Sequence, residues 1–127
     1  MSRSTIHLDT SFLIRGLTRG SSENRALKRW LSAGTTIAMS SVAWTEFLCG
    51  PLSEDERELA SQVVNERPEF TEEDATIAAD LFNQSGRRRS SLTDCMIAAV
   101  ALRQGAALAT ANRRGFQRFK SLGIELA

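Results

Sequence analysis

Long apolar runs are missing from this sequence. None approaches the roughly 20 residues that a membrane-spanning helix requires. The stretch Met1 to Thr10 reaches an acidic residue at Asp9 and lacks the extended apolar core of a secretory signal. Cysteine is scarce as well. Cys49 and Cys95 stand far apart inside apolar helical patterns and form neither a CxxC nor a disulfide framework, so both are expected to be reduced, buried thiols of a cytoplasmic protein. The single histidine, His7, lies within a strand pattern. Zinc sites need several nitrogen or sulfur ligands, so His7 is expected to pack rather than to bind metal. Aromatic residues make up only 6% of the chain, and Trp30, Trp44 and most phenylalanines fall on core faces, leaving little for stacking on bases. A surplus of either charge is also missing: the net charge of +1 gives no overall case for a polyanionic partner.

What is present is ordinary for a globular domain. With 127 residues, 42% apolar and 24% charged, the chain can bury a core, and it is read as one domain over residues 1–127. The charges are unevenly placed. Glu54, Asp55, Glu56, Glu58, Glu66, Glu69, Glu72, Glu73, Asp74 and Asp80 crowd the middle. From Leu81 onward only Asp94 and Glu125 face Arg87, Arg88, Arg89, Arg103, Arg113, Arg114, Arg118 and Lys120. The basic C-terminal third could hold a polyanion while the acidic middle faces water; equally, both could be solvated helix faces.

Thr5-Ile6-His7-Leu8 reads as a short buried strand that ends at Asp9-Thr10-Ser11, a sequence able to cap a helix carrying Phe12, Leu13 and Leu17. Ser21 or Ser22 opens a second helix with Ala26, Leu27, Trp30 and Leu31 on one face, closed by Gly34. Thr35–Met39 is a β-branched, apolar strand pattern. Ser40 or Ser41 caps a third helix with Ala43, Trp44, Phe47 and Leu48 inward, ended by Gly50-Pro51. Two acidic amphipathic helices follow, roughly Ser53–Asn65 and Thr71–Gln84, the first with Ser53 and Glu56 at capping-box spacing. Gly86 to Ser90 is a basic loop. Ser91 starts a helix that Gly105 stops, Ala106 to Thr110 is a strand, and Ile124-Glu125-Leu126 is a candidate last strand. Strands alternating with helices in so short a chain predict an α/β fold with a mainly parallel sheet covered on both faces.

Open parallel sheets place their sites beyond the carboxyl ends of the strands. Asp9 follows the first strand and Asn112 follows the strand Ala106–Thr110. Asp94 falls in the first turn of a helix, and Glu46 midway along another. If the four converge, they form a pocket of oxygen ligands suited to Mg²⁺ or Mn²⁺. Crowded carboxylates raise one another's pKa values, and a divalent cation would relieve that repulsion while activating water against a phosphodiester. Each residue also has a plainer use. Asp9 can be a helix cap, Asp94 the acidic partner of Ser91 in a capping pair, Glu46 a surface glutamate, and Asn112 a turn residue.

Four segments in order carry a resemblance. Ile6-His7-Leu8-Asp9-Thr10-Ser11-Phe12-Leu13-Ile14 resembles the opening of a PIN domain, an apolar strand ending in Asp-Thr/Ser-Ser/Asn before an apolar helix. Ser40-Ser41-Val42-Ala43-Trp44-Thr45-Glu46-Phe47 resembles the second motif of that family, Ser91-Leu92-Thr93-Asp94-Cys95-Met96-Ile97-Ala98-Ala99 its third, and Leu108-Ala109-Thr110-Ala111-Asn112-Arg113-Arg114-Gly115-Phe116 its last. The resemblance spans essentially the whole chain. It implies a three-layer α/β/α sandwich and a Mg²⁺/Mn²⁺-dependent endoribonuclease in which Asp9, Glu46 and Asp94 hold the metal. Asn112 stands where many relatives carry a fourth acid, and Gly115 where others carry an aspartate, so the site has about one negative charge fewer. Thr10, Ser11 and Thr110 would hydrogen-bond the ligands or the waters on the ion, or serve only as local caps.

The compact length resembles the toxin members of the family, of the VapC type. That resemblance implies a cognate small antitoxin, a homodimer, a cytoplasmic location, and an RNA substrate whose backbone Arg87, Arg88, Arg89, Arg113 and Arg114 could contact. The rival readings are a silent PIN-like module that binds RNA or protein, and a housekeeping RNA-processing nuclease. A different metal-dependent phosphatase lacks support, because no second aspartate lies two residues after Asp9 and there is no Gly-rich phosphate loop.

Overall fold

The computed structural model describes residues 4–127, with Ser90 by its backbone alone, so the expected character of residues 1–3 lies outside the described residues. Three short apolar runs pair in parallel: β1 (Thr5–Leu8), β2 (Thr36–Ala38) and β3 (Ala107–Ala109), in the order β2-β1-β3. The register sets Ile6 opposite Ile37 and Ala107, and His7 opposite Ala38 and Leu108. With β1 in the centre, the chain leaves it toward one side and later crosses back to the other. Right-handed crossovers in opposite directions send the two connections over opposite faces, which gives the α/β/α sandwich.

The helices begin where the capping residues fall. Asp9 caps α1 (Thr10–Gly16) through the Phe12 N–H, and Ser21, the earlier of its two candidates, caps α2 (Ser22–Ser32) through the Asn24 N–H. Ser40 caps α3 (Ser41–Leu48). Reciprocal capping boxes, Ser53 with Glu56 and Thr71 with Asp74, start the acidic helices α4 (Glu54–Val63) and α5 (Glu72–Gln84). A short 3-10 turn, Arg89–Ser91, leads into α6 (Leu92–Arg103), and α7 (Arg113–Phe116) runs into a second 3-10 segment, Gln117–Leu122. Gly34 takes φ +78° just past α2, a left-handed stop that other residues adopt only with strain. No helix among the described residues is long and apolar enough to cross a membrane.

The core gathers Leu8, Leu13, Ile37, Met39, Phe47, Ile97, Leu108, Phe116 and Phe119 around the sheet. α6 is buried nearly all round, from Cys95 to Ala101, and packs against α5. A buried ion pair locks these two helices: the Arg103 Nε lies 2.6 Å from Asp74 Oδ1, and a second guanidinium nitrogen reaches Oδ2 at 3.1 Å. His7 is packed as expected, 1% exposed with Nε2 3.0 Å from the Gln104 side-chain oxygen. Burial holds its imidazole below the ordinary pKa, which favours the neutral ring.

Three expectations need correction. Cys49 is exposed rather than buried, because it sits at the C-cap of α3, one residue beyond the helix and its apolar stripe; only Cys95 is buried. Ile124-Glu125-Leu126 contributes a single parallel bridge, Leu126 to Leu108, since β3 is only three residues long and offers no more edge. The first acidic helix, read to about Asn65, ends at Val63, and Glu66 beyond it forms a matching bridge to Ala38 on the opposite edge.

Candidate active site

The carboxyl ends of β1 and β3 open onto one cavity of about 270 Å³. Its walls include Asp9, Thr10, Ser11, Ile14, Glu46, Asp94, Asn112 and Phe116. The four oxygen-bearing residues singled out from the sequence therefore converge, although they come from four separate elements. The path of the chain explains each placement. Asp9 is the residue after β1, Glu46 lies on α3, Asp94 is in the first turn of α6, and Asn112 is the cap of α7 just after β3.

Asp9 is the most tightly held. It is 4% exposed, yet every hydrogen bond it accepts comes from a neutral donor: the Phe12 N–H and Ser11 hydroxyl at 2.8 Å each on Oδ1, and the Thr110 hydroxyl on Oδ2. Burial lifts its carboxyl above the ordinary pKa against the pull of these three bonds, and the Glu46 charge adds to the rise. Capping and site membership are thus not alternatives for Asp9; it does the first with one oxygen and turns into the cavity. Glu46 is exposed and anchored by the Thr10 hydroxyl, 2.8 Å from Oε1. Thr10 is placed in turn against the Ala43 carbonyl at 3.1 Å.

Asp94 carries the largest perturbation. Partial burial, then repulsion from Asp9 and Glu46, push its carboxyl up to about 6, although Arg118 pulls the other way. The capping-pair alternative for Asp94 does not hold: Ser91 makes no side-chain cap, and its hydroxyl donates to the Arg88 carbonyl at 2.6 Å. For Asn112 the plainer use is present as well, since its Oδ1 accepts the Gly115 N–H at 3.1 Å. The amide lies over Gly115, where a Cβ would come within 2.3 Å of Asn112 Nδ2. The absence of a side chain at 115 and the presence of asparagine at 112 are therefore one packing solution.

Arg118 escaped sequence reasoning. Its Nη2 stands 3.9 Å from Asp94 Oδ2, its guanidinium lies over the Phe119 ring at 4.7 Å, and its buried Nε has no hydrogen-bond partner. Only the general run of C-terminal basic residues hinted at it. The five arginines that were singled out do not line the carboxylate cavity. Arg113 donates to the Ala127 carbonyl at 2.7 Å, Arg114 is exposed on α7, and Arg87 and Arg89 line a separate cavity, with Arg88 exposed between them.

The donor set can accommodate a hard divalent cation: carboxylates and an amide oxygen, with no thiolate or imidazole, and with mutual repulsion that a cation would relieve. It is not a closed cage. Among the described residues no three acidic, thiol or imidazole side chains stand close enough to enclose an ion.

Comparison with known proteins places this arrangement. The family model of the PIN domain matches residues 6–122. No curated protein matches the chain by sequence. Among solved structures, VapBC2 from Rickettsia felis bound to a promoter DNA fragment is similar with a TM-score of 0.75 at 19% identity, over 97% of each chain. DNA-bound VapBC from Salmonella typhimurium gives 0.74 at 19% identity, over 98% of this chain and 97% of that one. VapC20 of Mycobacterium tuberculosis, a sarcin–ricin loop-cleaving toxin, gives 0.67 at 17% identity, over 96% and 98%. At these identities the structural likeness is one of fold.

Proposed function

This chain belongs to the PIN-domain family, and from that premise we propose that it is a Mg²⁺- or Mn²⁺-dependent endoribonuclease acting as the toxin of a toxin–antitoxin pair. The observation that carries the reading is the convergence of Asp9, Glu46, Asp94 and Asn112 on one cavity at the strand ends, with Asp94 raised to about 6 by burial and then by like charges. A structural network would pair those carboxylates with cations; among the described residues the only cation at ion-pair distance is Arg118, 3.9 Å from Asp94.

Asp9, Glu46 and Asp94 would hold the ion, with the Asn112 side-chain oxygen at its edge. When bound, the ion supplies Lewis acidity for hydrolysis of a phosphodiester. The chain's own groups do the rest. Ser11, Thr110 and the Phe12 N–H fix the Asp9 rotamer, and Thr10 fixes Glu46, so the carboxylates are oriented before substrate arrives. The C-terminal arginines would hold flanking phosphates.

The toxin role and a cognate antitoxin are carried over from structural neighbours that are toxin–antitoxin complexes and, in one case, a sarcin–ricin loop-cleaving toxin; a homodimer and a cytoplasmic setting rest on the resemblance to VapC-type toxins alone. The chain would act as one domain over residues 1–127. The test is cleavage of total RNA by antitoxin-free protein in Mn²⁺, in EDTA, and with Asp9→Asn in place of the native chain. Metal-dependent products that vanish in the variant are expected; products that survive the substitution would reject the site. A silent binding module, which the engagement of Asn112 with Gly115 leaves as the second reading, would give RNA binding and no products.

A further inference from the structure

A second cavity, of about 660 Å³, opens at the tip of α6. Phe82 from the last turns of α5, Arg87 and Arg89 from the connecting loop, and Leu92 at the start of α6 line it. The loop builds this hollow in a definite way. Past the end of α5, Gly86 and Arg87 take φ +100° and +57°, and the Arg87 N–H donates back to the Phe82 carbonyl at 3.0 Å. That reversal returns the chain over Phe82 before the 3-10 turn leads into α6.

Two features coexist there that seldom serve a purpose apart. The wall is apolar: Leu92 is 47% exposed, and Phe82 is half-buried, with one side packed against the core. The rim is cationic: among the described residues, no carboxylate stands at ion-pair distance from Arg87, Arg88 or Arg89. A surface that only neutralises phosphates needs no apolar hollow, and a hollow left over from packing needs no cluster of free guanidiniums. A nucleotide presents both complements, a flat apolar base and an anionic phosphate, and single-stranded RNA is recognised largely by stacking unpaired bases on aromatic, apolar and guanidinium surfaces.

We propose that this cavity is a nucleobase subsite, which takes an unpaired base of the RNA strand while Arg87 and Arg89 contact the adjoining phosphates. The proposal rests on the nuclease reading above and deepens it by locating where the strand is gripped. Leu92 and Asp94 are two residues apart at the same helix end, so the 100° step per residue turns them to nearly opposite sides of α6. The cavity and the carboxylates therefore lie on either side of a helix tip roughly 10 Å across. The base held there belongs to a nucleotide flanking the cut, and the subsite sets which unpaired position the strand must offer. The exposed Leu92 is also the lever for testing it, because substituting it touches neither a carboxylate nor the buried core.

The experiment measures binding by fluorescence anisotropy in EDTA, so that nothing is cut. The probes are a mixed-sequence single-stranded RNA decamer and an abasic ribose–phosphate decamer of equal length and charge. The native chain should bind the intact decamer about tenfold more tightly, the order of one stacked base. Leu92→Asn, which removes the apolar wall, and Leu92→Asp, which makes it repel the strand, should both bring the ratio near one. Arg87→Gln and Arg89→Gln should each weaken both probes alike. Equal affinities in the native chain, or an unchanged ratio in both Leu92 variants that melt like the native chain, would overturn the subsite. Binding of neither probe, alongside Mn²⁺-dependent cleavage sensitive to Asp9→Asn, would also overturn it. The converse, a Leu92-dependent ratio without any such cleavage, would remove the nuclease reading and keep the subsite.

Discussion

In the absence of metal, Asp94→Asn should make this protein more stable. The carboxyl sits at about 6 in the folded chain against 3.8 for an ordinary aspartate. At about 1.4 kcal/mol per unit, ionising it in the folded state costs at most roughly 3 kcal/mol at pH 7.5. The side chain is 33% exposed, and solvent screening reduces the figure to about 1–2 kcal/mol. A folded pKa raised above the unfolded one makes the charged form unfavourable, so the penalty is full above pH 6 and absent below the unfolded value of 3.8. For these two values it falls to about half by pH 5. The asparagine variant escapes the penalty and should melt about 4–8 °C higher than the native chain in EDTA at pH 7.5. The gap should shrink to about half that at pH 5. Millimolar Mn²⁺ should narrow or invert it, since only the native chain gains from binding. Thermal melts in EDTA across this pH range give the answer. An unchanged or lower melting temperature, or a gap indifferent to pH, would refute the idea that burial and like-charge repulsion make the ionised Asp94 unfavourable.

Other substitutions probe the neighbours. Asn112→Asp keeps the bond to the Gly115 N–H and adds a charge to the cavity. One more charge about 6 Å from a divalent ion, at an effective dielectric near 20, is worth roughly 5 kcal/mol before desolvation is deducted, so Mn²⁺ affinity by calorimetry should rise at least tenfold; no change would mean that Asn112 does not face the ion. Arg118→Gln removes the cation beside Asp94 and should move that carboxyl above 6 in an NMR titration, whereas a fall would show that Arg118 acts on it by contact rather than charge. For Asp74, burial alone would raise the carboxyl, but bonds from Arg103 and the Thr71 N–H outweigh it and hold the value low. Its stabilising contribution is therefore present above the unfolded pKa and lost as the pH falls through the folded one. Asp74→Asn should lower the melting temperature at pH 7, with the difference closing below about pH 4; a pH-independent difference would point to packing instead.

The parts of the fold that could be read from sequence are those with local causes. Asp9, Ser40, Ser53 and Thr71 start helices because a side-chain oxygen meets an N–H three residues on, and that relation is visible in the chain itself. The strands were recognisable as apolar runs between such signals. Arg118 was not, because its 3-10 segment meets Asp94 only through the return of the chain after β3, 24 residues downstream, and nothing in Gln117–Leu122 distinguishes it from Lys120. The Glu66 bridge was hidden for a similar reason. Its neighbours Asn65 and Arg67 carry no strand pattern, and the pairing comes from the edge that β2 leaves open: Ile37 receives the Asn65 N–H at 2.8 Å, and the Met39 N–H reaches the Glu66 carbonyl at 3.0 Å. Cys49 misled because periodicity marks a face but not where the helix stops.

The same residues show why local and functional readings of a side chain need not compete. The hydroxyls of Thr10, Ser11 and Thr110 could have been mere caps, yet each holds a carboxylate of the cavity in place. All three donors are neutral. A cluster stabilised for its own sake would have used lysine or arginine, which lower carboxylate pKa values and remove the repulsion. Hydroxyls fix the rotamers without cancelling the charge, so Asp9 and Asp94 stay above their ordinary pKa values. Arg118, which could have cancelled it, stacks on Phe119 and stops 3.9 Å short. The pocket is thus pre-ordered and left short of positive charge, the combination that a site awaiting a divalent cation requires and that a purely structural cluster would avoid.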